Sequence, residues 1–524
     1  RSERGTDIIL HIDSESEEFL SKDRLTALLN KYCKFLPIPI IFGKKQEWKD
    51  GAYVDTDQDN QINDIHPAWT KKPSELTKED YIAFYHQLYP QTMEEPLFWI
   101  HLNVDYPFNL TGILYFPKVK NQMELQRNKI QLYANQVFVT EDVEGIVPEY
   151  LTLLHGVIDS PDIPLNVSRS YLQSDAQVKK ISNHISKKVA DRLDELFRNE
   201  RSLFEEKWES LKVFVQYGML SDEKFYDRAV KFDLVTDIDG KYFTLDEYRT
   251  LTEGEQTDKE GQLVWLYTND RNSQYTAIER AKAKGYSVLL LDGPLDVHAV
   301  SQLEQKLEKT RFVRVDSDSI DKLIAKEEQR AVSLTDVEQK TLKALFEGRL
   351  PREEKRNYSV SLEALGADAD AVLITQGEFM RRMQEMARLQ PGMNFYGELP
   401  EGYNVVLNTE HPLIQRLLAS EKEVVEPKLS TLRAELQEQS ELVEAARTVQ
   451  SAKKPEEVSV AEREELDALT SKQAELEGKI SEEIKKFGAE ELLVGQLVDL
   501  ALLGNGLLSG EALAAFIRRS QQLL

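Results

Sequence analysis

The chain has 524 residues, enough for several domains with full cores, and a net charge of −25, which argues against nucleic acid as the main partner because phosphate contacts need a basic surface. Its single cysteine, Cys33, excludes an internal disulfide and a cysteine-based zinc site and fits a reducing compartment. The eight histidines are scattered without an HExxH pair, so no metal site is expected, and no apolar run reaches the length of a membrane span.

Residues 4–12 read as a strand after a glycine, 20–35 as an amphipathic helix and 38–42 as a second strand. Residues 44–63 are polar, rich in aspartate and poor in aliphatics, the composition of an inter-domain linker. From residue 65 to about 198, predicted strands at 98–104, 112–116 and 130–140 alternate with helices, an α/β pattern. Pro148 opens a helical run with Tyr150, Leu151, Leu154 and Val157 as its apolar positions. Pro161 and Pro164 then punctuate a turn, and Arg169 follows at a loop-to-helix junction, with Ser170 to Gln173 starting the next helix. A guanidinium held there presents a rigid fork of donors matched to phosphate or carboxylate; taken alone, it serves equally well to cap a helix or pair with a nearby acid. Residues 202–318 form a second α/β unit, with 286–291 as its clearest strand.

Beyond residue 319 the pattern is mainly helical. Heptad-like spacing runs through 428–450 (Leu429, Leu432, Leu436, Val443) and 461–487 (Leu469, Leu476, Ile480), and Ser459 with Glu462 forms a capping box at the start of the second run. The two predict an antiparallel helical hairpin over 421–488, either a solvated spacer or a partner-binding arm. Four of the seven methionines fall between Met380 and Met393, and Gly377 precedes them. Methionine is polarizable and adaptable, so such a run suits promiscuous binding, although spacing alone would make it core. At the C-terminus Leu493, Leu497, Leu500, Phe516 and Ile517, with Leu492, Leu503 and Leu513, cover too much helical surface for two helices to bury alone. That predicts a four-helix bundle made with a second copy about a two-fold axis.

The run LNVSRSYLQ, residues 165–173, resembles the middle domain of the heat-shock protein 90 chaperone family, whose motif reads Leu-Asn-(Ile/Val/Leu)-Ser-Arg-Glu-x-Leu-Gln; Ser170 stands where the family has Glu. HPAWTKKPSELTKEDYIAFYHQLYP (66–90) is similar to the start of that domain, KGYSVLLLDGPLD (284–296) to its small subdomain and FIRRSQQLL (516–524) to the family's last helix. GTDIILHI and the segment after it resemble the end of the family's N-terminal ATPase domain, yet neither an Asp-x-Gly-x-Gly motif nor a GxxxxGK[ST] loop is present.

The resemblance implies an α/β middle domain of two α/β subdomains, then a mainly helical α+β C-terminal dimerisation domain with a helical-hairpin insertion. The implied boundaries are 1–43 for the ATPase remnant, 44–64 for the linker, 65–200 and 201–330 for the large and small middle subdomains, and 331–524 for the last domain. It implies that ATP and Mg²⁺ bind upstream of Arg1, that Arg169 reaches the ATP γ-phosphate with Gln173 in support, and that this stretch alone is inactive as an ATPase. It also implies client contacts through Phe379, Met380, Met383 and Met386 and through a half-exposed Trp69, for which a packed core position is the alternative. His298 stands where some bacterial members carry an aromatic client-binding residue, and that role is not carried over. The expected partners are unfolded or partly folded client proteins and a second copy of the chain, with no nucleic acid and no membrane, in the cytoplasm. The tail lacks both Glu-Glu-Val-Asp and Lys-Asp-Glu-Leu, which points to the bacterial branch, with the mitochondrial relative second. The rival readings are a non-enzymatic dimeric scaffold and the transducer arm of a related ATPase; the acidic balance argues against a DNA-facing arm.

Overall fold

A computed structural model describes residues 4–49, 51–118, 129–141, 143, 146–163, 176–327, 330–378, 381–382, 401–453 and 458–523. The chain divides into two compact units, Arg1–Leu234 and Val235–Leu524, and both mix helices with small sheets.

The first unit opens irregularly. Residues 4–13, the predicted first strand, form no regular element, and Ile8, Ile9 and Leu10 are exposed. A strand needs a neighbour for its backbone groups, and among the described residues this segment pairs with none. Helix α1, Lys22–Tyr32, starts at Ser21, whose hydroxyl accepts from the Arg24 amide. The expected linker is instead an antiparallel hairpin of β1, Ile41–Lys49, and β2, Ala52–Gln61. Its polar residues make the cross-strand ties that a composition argument overlooks: Lys44 Nζ to Asp59 Oδ1 at 2.7 Å, Gln46 Nε2 to Asp55 Oδ1 at 2.8 Å, and Trp48 against Tyr53.

After helix α2, Lys78–Leu88, comes a five-stranded sheet of β3, Phe98–Val104, β4, Leu110–Phe116, β5, Lys129–Ala134, β6, Val137–Thr140, and β7, His155–Asp159. The order is β3-β4-β7-β5-β6, antiparallel except for the β5–β7 pair. Two sequence readings change here. The strand over 130–140 is two strands, because Asn135 and Gln136 sit at φ 52° and 62° and turn the chain back on itself. The helix predicted after Pro148 is a single 3-10 turn, Glu149–Leu153, followed by central strand β7. All five residues of β7 are buried, so the strand lacks the alternation that marks a half-exposed one and its apolar spacing passes for helical. Gly156, at φ 131°, is required in β7: a Cβ there would lie 2.0 Å from the Ile113 carbonyl oxygen.

On one face, α2 and Phe35 pack onto Ile113, Tyr115, Tyr133 and Val157 in an aromatic-rich core. Helices α3, Ala176–Asn199, α4, Arg201–Ser221, and α5, Glu223–Ala229, complete the unit, with Phe214 of α4 against Phe116 of β4. The expected boundary at 200/201 falls in the single-residue break between α3 and α4, and α4 remains with the first unit through Phe204 against Phe197.

The second unit begins with the short pair β8, Leu234–Thr236, and β9, Tyr242–Thr244, and helix α6, Leu245–Thr252. Strand β10, Leu263–Thr268, wholly buried, lies parallel between β11, Val288–Leu290, and β12, Thr310–Arg314. Helices α7, Tyr275–Ala283, and α8, Asp296–Lys306, connect these strands, the α/β alternation read from the sequence. After α9, Ile320–Leu323, and α10, Asp336–Glu347, a second sheet is ordered β13-β15-β14, from Arg356–Glu363, Val372–Thr375 (β14) and Glu401–Asn408 (β15).

Helices α11, Pro412–Val424, α12, Glu426–Ser451, α13, Val460–Glu490, α14, Leu492–Gly504, and α15, Gly510–Leu523, close the unit. The hairpin of α12 and α13 forms as its spacing predicts, and Ser459 and Glu462 make the capping box. It is not a detached insertion: Leu429, Ile480 and Ile484 enter the same core as Phe346, Val405 and Leu417. Gly488 of α13 allows the backbone of α10 to come close, since a Cβ there would lie 2.1 Å from the Leu345 carbonyl oxygen.

Candidate functional site

Three regions carry the residues singled out in the sequence. The first is the segment after β7. Its stem is fixed by a group of hydrogen bonds at the carboxyl end of the strand. Asp159 Oδ2 accepts from Trp69 Nε1 at 3.1 Å and from the Gln136 amide at 2.9 Å. Ser160 donates its hydroxyl to the Asn109 carbonyl at 2.7 Å, and Asp162 Oδ2 accepts the Asn109 amide at 2.7 Å. Burial pushes the Asp159 carboxyl up, and the bonds from Trp69 and Gln136 oppose that. Arg169 and Gln173 lie in residues 164–175, outside the described residues.

Trp69 is where the structure corrects the sequence. The half-exposed client contact is a fully buried ring, 0% exposed, with Phe35 at 4.8 Å, Tyr133 at 5.2 Å and Phe84 at 5.6 Å between ring centroids. The polar neighbours Thr70, Lys71 and Lys72 suggest a surface. However, the 3-10 turn Ala68–Thr70 tucks the indole inward, and its N–H finds the carboxylate that a buried tryptophan needs. Trp69 therefore braces the end of β7 and does not face a client.

The second region is the methionine segment. Phe379, Met380, Met383 and Met386 lie outside the described residues, but Glu378 before them and Arg381 and Arg382 between them are described and strongly held. Arg381, 2% exposed, donates from Nη2 to the Tyr267 hydroxyl and to Glu378 Oε1, each at 2.6 Å. Arg382 Nε meets Glu378 Oε1 at 2.6 Å, its Nη1 meets Glu304 Oε2 at 2.7 Å, and its Nη2 reaches the Phe312 carbonyl at 2.7 Å. Burial pushes the Glu378 carboxyl up, but Arg381 and Arg382 outweigh it and hold the group below the usual carboxylate range. Burial, with Glu378 beside it, pushes the Tyr267 phenol up to about 12. Two guanidinium groups and two carboxylates thus pin one turn to β10, β12 and α8. The one local sequence signal of this network is a glutamate three and four residues before two arginines.

The third region is the C-terminal helix pair. Of the candidate dimer residues, Leu497 (6% exposed) and Phe516 (8%) turn into the chain's own core, and Leu493 is half-buried against it. This corrects the assignment of Leu497 and Phe516 to an interface, since one copy already buries them. Leu500 (49%) and Ile517 (48%) stay exposed, and Leu492 and Leu503 join them. Asp499 with Arg519, and Gln496 Nε2 with Ser520 Oγ at 2.9 Å, hold α14 and α15 together.

A cavity of about 610 Å³ within the second unit carries Asp316, Asp318, Asp321, Asp368 and Asp370 on its walls against Arg280 and Lys284, an acidic lining ill suited to a triphosphate. A smaller depression in the first unit is lined by polar and charged residues, with no aromatic ring to stack a base. Among the described residues no group of three metal-ligating side chains converges, and no helix is long and apolar enough to cross a membrane.

A family model described as Hsp90 protein matches residues 43–486. Chaperone protein HtpG of Porphyromonas gingivalis (strain ATCC BAA-308 / W83) is 66% identical over 524 residues, 100% of this chain and 76% of that protein. Chaperone protein htpG of Bacteroides fragilis (strain 638R) is 55% identical over 524 residues, 100% of this chain and 77% of its own length. A more distant relative, chaperone protein HtpG of Idiomarina loihiensis, is 30% identical over 452 residues, 80% of this chain and 67% of that protein.

Proposed function

This chain belongs to the Hsp90 family, on its bacterial HtpG branch, and from that premise we propose that it is the client-holding and dimerising part of an ATP-driven homodimeric clamp that remodels non-native proteins. Membership makes it a chaperone-family protein. The observation that carries the finer reading is the two-faced C-terminal helix pair. One face buries Leu497 and Phe516, and the other leaves Leu492, Leu500, Leu503 and Ile517 in water. A second copy covering those residues would bring two chains together, as a clamp requires.

In this reading ATP and Mg²⁺ are bound by residues preceding Arg1, in the cytoplasm, and Arg169 meets the γ-phosphate with Gln173 beside it. A cation placed at developing phosphate charge accelerates transfer by preorganised electrostatics. Clients meet the segment that begins at Phe379, whose base is pinned by the Glu378–Arg381–Arg382 network. The proposed division is that of the sequence, with residues 1–43 as the end of an ATPase domain, 65–330 as the middle domain and 331–524 as the dimerisation domain.

The test is light scattering from a thermally unfolding client. The chain is expected to suppress aggregation near stoichiometric amounts, and replacement of Met380, Met383 and Met386 by serine is expected to weaken that suppression without changing the melting temperature. Full suppression by the serine variant would remove the segment from client binding, and no suppression by the unaltered chain would remove the holding function.

A further inference from the structure

The chain has 91 acidic and 66 basic side chains, so several cations converging on one depression run against its charge balance. Such a group lines the smaller depression, about 440 Å³, where Lys187 of α3 meets Lys224, Arg228 and Lys231 in and just after α5. Among the described residues no carboxylate pairs with Lys187, Lys224 or Lys231, and Arg228 spends one Nη on Asp191 at 3.1 Å.

Two carboxylates share the lining, and one is already committed. Asp222 Oδ1 accepts the Lys224 and Phe225 amides at 2.9 and 3.2 Å, and its Oδ2 accepts the Ser186 hydroxyl at 3.1 Å. Asp227 opposes the four cations and Asp191 pairs with Arg228, which leaves a net charge of about +1 around the depression (four cations less Asp222, Asp227 and Asp191). The Asn183 amide adds an uncharged donor. The positive field is felt nearby: burial first, then Lys188 and Lys187, hold the His184 imidazole below its ordinary range.

We propose that this depression binds small anions carrying several phosphate groups, of the inorganic tripolyphosphate type. A concave set of flexible ammonium groups and one guanidinium can wrap a compact polyanion from several sides, and attraction to a net positive lining grows with ligand charge. Every lining residue is polar or charged and none is aromatic, so no ring is present to stack a nucleobase. The proposal rests neither on Arg169 nor on the chaperone reading.

The experiment is calorimetric titration of the 524-residue chain with sodium tripolyphosphate, pyrophosphate and orthophosphate at low ionic strength, where exposed charges are least screened. Saturable binding of one tripolyphosphate per chain is expected, with affinity falling in that order. The double variant Lys224→Gln, Lys231→Gln should weaken it about tenfold or more, and Lys187→Gln, from a different helix, should weaken it independently. Arg169→Ala should leave it unchanged. Unaltered affinity in both lysine variants overturns the proposal. So does loss in Arg169→Ala, which would move the site to that loop, and so does equal affinity for an oligo-glutamate peptide of matched charge, which would make the surface an acidic-peptide site.

Discussion

Removal of Glu378 should release the methionine segment from the second unit, and the structure sets the size of the effect. Glu378 takes two charge-assisted hydrogen bonds, one from Arg381 and one from Arg382, each at 2.6 Å. Arg382 keeps Glu304 and the Phe312 carbonyl when Glu378 is lost, so most of the cost falls on Arg381. That guanidinium is 2% exposed, keeps the Tyr267 hydroxyl and loses its Glu378 carboxylate. Removing one partner of a buried ion pair costs about 3–5 kcal/mol, so Glu378→Ala should speed opening of the protected β10 amides by roughly two to four orders of magnitude. Glu378→Gln keeps one acceptor and should cost less. Amide hydrogen exchange read by mass spectrometry over Leu263–Thr268 is the assay. An acceleration below about tenfold would mean that Arg381 escapes into water cheaply and that the network does not pin the segment. The pH sign follows from the lowered carboxyl: the stabilisation is complete above the ordinary carboxylate value and is lost as pH falls through the depressed folded value.

Glu421 should behave in the opposite sense. It is 2% exposed with Oε1 unpaired; burial, then Glu426, raise its carboxyl despite Arg433 and Lys422. Its contribution is full below the unfolded carboxylate value and is lost as pH rises through the raised folded value. Glu421→Gln should therefore raise stability at neutral pH and flatten the pH dependence of melting, and parallel pH profiles for the two proteins would refute this. The two faces of the last helices should also separate. Leu500→Ser with Leu503→Ser should weaken self-association about tenfold or more in sedimentation and leave melting of dilute chain unchanged, whereas Leu497→Ala should cost about 2–5 kcal/mol of stability. Dimers that survive the serine pair intact would sink the assignment of that face.

Elements with a local period were legible. The helical hairpin has heptad spacing and a capping box, and strand β3 alternates buried and less buried residues as its sequence does. What failed depended on neighbours far along the chain. Strand β7 is buried on both sides, so its pattern carries no face, and its identity rests on β4 and β5. Trp69 sits among polar residues in sequence, but Phe35 and Asp159, the latter 90 residues away, determine its burial. The C-terminal leucines were read as one apolar surplus. Only the packing of Leu497 and Phe516 onto the core divides them into an inner and an outer set.

The two candidate segments have local sequence signals, whereas their supports do not. Arg169 and the methionines were found through local wording, whereas the groups that anchor their stems are contributed by distant elements. The strand that leads toward Arg169 ends at Asp159, held by Trp69 and Gln136. Arg381 and Arg382, beside Met380 in sequence, are held by Tyr267, Glu304 and Phe312, between 70 and 114 residues away. Side chains that must meet a partner with fixed geometry gain most from stems of this kind, because a rigid, fully hydrogen-bonded base limits the orientations that the functional groups can take. Function would then be lost in two separable ways: at the tip, with stability intact, or at the stem, with the tip residues unaltered. Trp69→Phe belongs to the second class. It removes the one side-chain N–H that Asp159 accepts and leaves a raised carboxyl with less support, without touching Arg169.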